Sequence, residues 1–123
     1  MVDKTKVEKI LAQVMDEVPS IEGLIAAKTN GEILAGQIIT SVSKEVQEGF
    51  IKSLLSGAKH LASAIKVVDK GELQDFLINT KKGSILLVGA ADLVITAIVG
   101  VDGRANIALI KKTLTSVLKQ IVK

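Results

Sequence analysis

Apolar residues recur along this chain at helical spacing in some stretches and in near-continuous runs in others. Val7, Ile10, Leu11, Val14 and Val18 fall three or four apart, which puts one apolar stripe on a helix and leaves Lys9, Gln13 and Asp16 on the opposite side. Thr5 and Glu8 have capping-box spacing at its start, and Pro19 pushes the preceding residue out of the helical region at its end. The pattern then changes. Two segments, Ile21 to Lys28 and Glu32 to Gly36, flank Thr29-Asn30-Gly31. Asn-Gly supplies the positive φ that a tight hairpin demands, so two antiparallel strands are predicted.

A second helical pattern runs from Ser43 to about Val67, with Ser43 placed to cap it and Glu45 in its first turn. Val46, Phe50, Leu54, Leu61 and Ile65 share one side, and Ile51, Leu55, Ala58 and Ala62 widen the apolar arc to about half the circumference. Gly49, Ser53, Gly57 and Ala64 lie along the other flank of that arc, where small side chains let another backbone come close. A helix on one sheet needs a narrower stripe. Either the extra width lies beneath loops, or the helix has a second apolar neighbour in another subunit.

Three further strands are predicted: Glu72 to Thr80, Ile85 to Val88 and Leu93 to Val99. The connections Lys81 to Ser84 and Gly89 to Asp92 are short enough for hairpins. In the last strand both alternating sets are apolar, Leu93, Ile95, Ala97 and Val99 against Val94, Ile98 and Thr96, so both faces of the sheet need cover. The long helix is expected on one face and the terminal helices on the other. After Val101-Asp102-Gly103, with Asp102 expected to cap, a final helix carries Ile107, Ile110, Leu114, Val117, Leu118 and Ile121 inward and Lys111, Lys112, Lys119 and Lys123 outward. The predicted order is α-β-β-α-β-β-β-α. This is an α/β (α+β) domain over 1–123, a five-stranded antiparallel sheet sandwiched between one long helix and two terminal helices.

Composition narrows the chemistry. Without cysteine there are no disulfides, thiolate zinc sites or cysteine nucleophiles, which suits a reducing compartment. The one histidine, His60, has no local nucleophile or carboxylate partner, so it reads as a surface or interface residue, and no catalytic residue, metal or cofactor is expected. Lys82-Gly83-Ser84 is only a fragment of a phosphate-binding loop. The net charge is +3, but the lysines are scattered, and two Phe with no Tyr or Trp leave little to stack bases, which weighs against a nucleic-acid partner.

Between Ile85 and Val101 the chain is nearly all apolar, yet Asp92 in its middle and a length short of the roughly 20 residues a bilayer needs argue against a transmembrane segment. The first residues, Met1-Val2-Asp3-Lys4-Thr5-Lys6, lack the basic flank and apolar stretch of a secretory signal, so a cytoplasmic protein starting near Met1 is expected. Arg104 is the sole arginine, and a structural role at the start of the last helix outweighs one as an arginine finger.

Two segments then carry a family likeness. The hairpin Gly23-Leu24-Ile25-Ala26-Ala27-Lys28-Thr29-Asn30-Gly31-Glu32-Ile33-Leu34-Ala35 and the run Arg104-Ala105-Asn106-Ile107-Ala108-Leu109-Ile110, with the order of elements, resemble the Roadblock domain of the dynein light chain 7 family over nearly the whole chain. Profilin-like and longin domains share the general layout. A hairpin, one long helix and three consecutive strands favour Roadblock, since longin chains end in two helices.

The resemblance implies a non-enzymatic interaction module of the prokaryotic, stand-alone kind. It also implies a homodimer in which the strand after the long helix pairs with its counterpart while the long helices pack together. In this sequence that surface would comprise Ile51, Leu55, Ala58 and Ala62 on the helix and Leu73, Asp75, Phe76, Leu77 and Ile78 on the strand. The strand has no proline and one acid, hence little edge protection. The partner implied is a small Ras-like GTPase whose cycle or location is modulated; the alternative is a structural adaptor, dynein-light-chain-like or complex-assembling, without GTPase contact. Lys52, Lys59 and Lys66, with His60, are the candidate contacts for an acidic partner, against a simple solvated stripe.

Overall fold

Asp3 caps the first helix in place of Thr5. In the computed structural model, which describes residues 3–39 and 42–122, the Asp3 carboxylate accepts hydrogen bonds from the N–H groups of Thr5 and Lys6. An acid one step ahead of the helix satisfies two of its orphan donors, so Thr5 lies inside the first turn and the expected capping box is not the cap. Helix α1 (Lys4–Glu17) then ends two residues before Pro19, as the proline requires.

Strands β1 (Ile21–Lys28) and β2 (Ile33–Ile38) form the predicted hairpin. Gly31 takes a φ of +97° at the turn, and the Asn30 side chain accepts from the Glu32 N–H at 2.9 Å. Helix α2 (Lys44–Val67) follows, with the Ser43 hydroxyl accepting from the Val46 N–H. Strands β3 (Asp75–Thr80), β4 (Gly83–Ala90) and β5 (Leu93–Gly100) form a meander closed by two-residue turns, Lys81-Lys82 and Ala91-Asp92. The first of these strands begins three residues later than expected. Residues 72–74 stand outside the ladder, attached by one bond from the Gly89 N–H to the Gln74 carbonyl.

The sheet is antiparallel throughout, in the order β2-β1-β5-β4-β3. Helix α2 therefore connects the two edge strands, and the meander returns to pair β5 with β1 in the middle. Side chains divide by face as the alternation predicts. Leu24, Ile95, Ala97, Leu86 and Val88 meet α1 and helix α3 (Ile107–Val122) through Leu11, Ile110, Leu114 and Leu118. On the other face Ile25, Ala27, Ile33, Leu87 and Val94 meet α2 through Ile51, with Phe50, Leu54 and Leu55 packed around it.

Asp102 does not cap the last helix. The chain passes from β5 into a 3₁₀ turn (Val101–Asn106) whose N-cap is Gly100, with no side-chain cap bond, and Asp102 lies exposed in its first turn. Gly103 packs so close to Val99 and Ser20 that a Cβ has no room there. That contact draws the backbone tight against β5 before α3 begins.

Candidate interaction surface

Helix α2, 24 residues and about 36 Å long, is held to the sheet through Ile51 with Phe50, Leu54 and Leu55 packed around it. Ile51 is its one fully buried residue among those described. Phe50, Leu54 and Leu55 are half-buried on the sheet, while Val46, Leu61 and Val67 are exposed at 60%, 47% and 85%.

These positions sort the residues that the sequence groups into one contact surface. Ile51 does not belong to it: the side chain points straight at the sheet and is sealed in the chain's own core with Ile25 and Val94, leaving nothing for a second subunit to touch. Leu55, Ala58 and Ala62 are half-buried and line a groove between α2, the segment 71–75 and the sheet. On β3, pairing with Leu87 and Leu86 places Phe76 on the α2 face and Leu77 on the face of α1 and α3. Phe76 is half-buried against the α2-side core, whereas Leu77 and Ile78 are exposed at 41% and 39%. Asp75 is tied down by an ion pair with Lys111 at 3.0 Å, and Leu73 sits half-buried beside the groove.

Strand β3 pairs only with β4, so its other edge presents unpaired backbone donors and acceptors. No proline or bulge interrupts it. Two apolar side chains, one on each face, stand beside that open edge.

Lys52, Lys59 and Lys66 lie seven residues apart along α2, and all are exposed. Among the described residues the ion pairs are Lys28–Glu32 and Lys111–Asp75, so none of the three has a carboxylate partner there. His60 is exposed on the same helix, but it does not line the groove as Lys59 and Lys66 do. No group of three metal-ligating side chains comes together among the described residues. Nor is any described helix long and apolar enough to cross a membrane.

Arg104 is occupied internally. Its Nη2 donates to the Gly83 carbonyl at 2.9 Å, which fastens the 3₁₀ turn to the β3–β4 hairpin and makes the structural role expected of it concrete. The groove has no counterpart in the sequence reading, because its walls come from residues 55–66, 71–75 and 87–94, which no local pattern joins.

No family model matches the sequence, and no curated protein matches it. Solved structures do match. A Roadblock/LC7 domain from Streptomyces avermitilis superimposes with a TM-score of 0.79 at 10% identity, over 93% of this chain and 92% of that one. The chain has the Roadblock/LC7 fold. The gliding protein MglB from Thermus thermophilus matches with a TM-score of 0.73 at 9% identity, over 95% and 91% of the two chains. MglB from Myxococcus xanthus gives 0.73 at 12% identity, over 94% and 97%. A Roadblock/LC7 fold with so little sequence in common shows how far its packing tolerates exchange of one apolar residue for another.

Proposed function

We propose that this chain is a non-enzymatic scaffold that forms a homodimer in the cytoplasm and binds a small Ras-like GTPase. The observation that carries the reading is the open edge of β3, with Leu77 and Ile78 exposed beside it and the under-buried helix α2 nearby. Pairing β3 with β3 of a second copy satisfies that edge and turns two five-stranded sheets into one. Leu55, Ala58, Ala62, Leu73, Asp75 and Phe76 flank the pairing strand and the helix above it. Ile51, sealed inside, supports that surface from beneath.

The lysine row supplies the electrostatic half of the reading. Exposed cations without carboxylate partners among the described residues suit an acidic surface, and a rigid dimer that prefers one conformation of its partner's switch loops shifts the partner's population by that difference in affinity. The structural likeness to MglB, a gliding protein, supports a regulatory or scaffold role.

Two measurements test this reading. Light scattering at micromolar concentration is expected to give about twice the 13.0 kDa of one chain, and a wild-type monomer refutes the dimer. Immobilised protein is expected to retain a small GTPase in a nucleotide-dependent manner. Retention indifferent to GTP or GDP favours the structural adaptor instead.

A further inference from the structure

Helices α1 and α3 cover the sheet face opposite α2, and a groove of about 440 Å³ runs between them. Ile10, Val14 and Val117 form its floor. Gln13 and Glu17 belong to the α1 wall, and Leu109 and Lys112 to the α3 wall. Leu109 is 60% exposed, so an apolar side chain on that rim stands in water.

The two walls carry opposite charge that the chain itself leaves unused. Asp16 and Glu17 are exposed in the last turn of α1, where the helix dipole disfavours acids and no basic residue shares the turn. The Glu17 carboxylate accepts a hydrogen bond from Gln13 at 3.2 Å, yet neither acid has a cationic partner among the described residues. Helix α3 is the converse. From Ile107 to Val122 it has no acid, and Lys112 and Lys119 are exposed without a carboxylate partner among the described residues. Glu17 and Lys112 thus line one groove without meeting.

We infer that this groove is a contact between two copies of the chain, in which each lays its α1 wall over the α3 wall of the other. A two-fold axis running along the groove exchanges the walls, so Glu17 faces the partner's Lys112 and Lys112 faces the partner's Glu17. Leu109 closes against the partner's α1 and leaves water. Charge decides the occupant. A flat anionic bilayer attracts Lys112 and Lys119 but meets Asp16 and Glu17 on the same face, and a helix of one charge sign is opposed by one wall or the other; a second copy answers both walls at once. The contact lies on the opposite side of the sheet from α2 and uses no residue of the β3 edge, so the inference goes beyond the proposed function and needs neither the β3 dimer nor the GTPase.

Sedimentation equilibrium of the full chain at low salt, from micromolar to near-millimolar concentration, is expected to give a mean mass that climbs with concentration, because exposed ion pairs around one apolar residue make a weak contact. Salt at about 0.5 M is expected to suppress the climb. Glu17→Lys, Lys112→Glu and Leu109→Ser are each expected to move the climb to about tenfold higher concentration or beyond. The combined Glu17→Lys/Lys112→Glu is expected to restore it, since exchanging both charges rebuilds the pairs. All three sites are exposed, and restoration is a readout that a folding defect does not give. A flat wild-type mass, a climb untouched by either single reversal, or a double reversal that fails to restore it overturns the inference. Cosedimentation with phosphatidylserine vesicles in place of the climb overturns it in favour of a lipid surface. Leu77→Lys/Ile78→Lys keeps the two readings apart: it is expected to halve the starting mass where β3 pairs, and to leave the climb in place whether or not β3 pairs.

Discussion

The Arg104 guanidinium reaches across 21 positions of sequence to the carbonyl of Gly83, which also accepts a bond at 3.1 Å from the Thr80 hydroxyl. Gly83 is itself buried so tightly against the Val99 carbonyl that no Cβ fits. One backbone oxygen thus joins the β3–β4 turn to the lead-in of α3. Loss of a charged hydrogen bond at a part-buried site costs about 1.5–3 kcal/mol. Urea denaturation of Arg104→Ala is expected to show a loss of that size; on the proposed reading, the hydrolysis rate of a retained small GTPase is expected to stay unchanged, because the guanidinium bonds its own chain.

Thr96 occupies the middle of β5, level with Ile25 and Leu87, and is fully buried. Its hydroxyl has no hydrogen-bond partner among the described residues. Replacing a buried, unpaired hydroxyl with a methyl removes a desolvation cost of about 1–3 kcal/mol at almost unchanged shape. Thr96→Val is therefore expected to raise the denaturation midpoint. A lowered midpoint would mean that the hydroxyl is bonded in solution.

The β3 edge is the place to disturb the proposed dimer without touching the core. Leu55 packs on its own sheet, so a charge there confounds unfolding with dissociation. Leu77→Lys/Ile78→Lys places charges on exposed positions of the pairing strand and is expected to halve the mass seen by light scattering while circular dichroism is preserved. A variant that stays at the wild-type mass places the dimer contact elsewhere.

Gly49 and Gly57 lie exposed on α2, and an added Cβ at either meets no atom within 4 Å. Alanine in a helix interior stabilises by about 0.5–1 kcal/mol over glycine. Gly49→Ala/Gly57→Ala is expected to raise the helix's resistance to denaturant and, if paired α2 helices meet at these small residues, to weaken self-association. Dilution monitored by sedimentation separates the two effects.

The Glu32 carboxyl is held below its ordinary behaviour by a neighbouring lysine. A hydrogen bond from Lys28 at 3.1 Å, reinforced by that lysine's charge, keeps its carboxyl below the usual glutamate value. A folded value below the unfolded one stabilises at pH above the unfolded value, and that contribution disappears as pH falls through the folded one. The pair is solvent-exposed, so the effect on stability is small. NMR titration is expected to place the Glu32 midpoint low, and Lys28→Met to return it to the ordinary range.

Much of the architecture is legible in the residues because it is local. The spacing of Val7, Leu11 and Val14 makes α1; Asn30-Gly31 makes the first hairpin; the two apolar faces of β5 demand helices on both sides. Local rules misplaced what depends on competition between neighbours. Asp3 displaced Thr5 as cap because it stood one step ahead, and Asp102 lost its capping role when Gly103 packed against β5.

Periodicity alone thus determined the elements, their order and the excess of apolar surface on α2, since each follows from spacing along one segment. Which part of that surface is spare was decided only in three dimensions. Ile51 and Leu55 stand four residues apart on one helical face, yet Ile51 is sealed among Ile25, Leu87 and Val94 while Leu55 stays half-buried at the edge of that cluster. The bond from Arg104 to Gly83 and the alignment of lysines with the groove likewise belong to the tertiary structure, where contacts between distant segments are set by packing and not by any repeat in the chain.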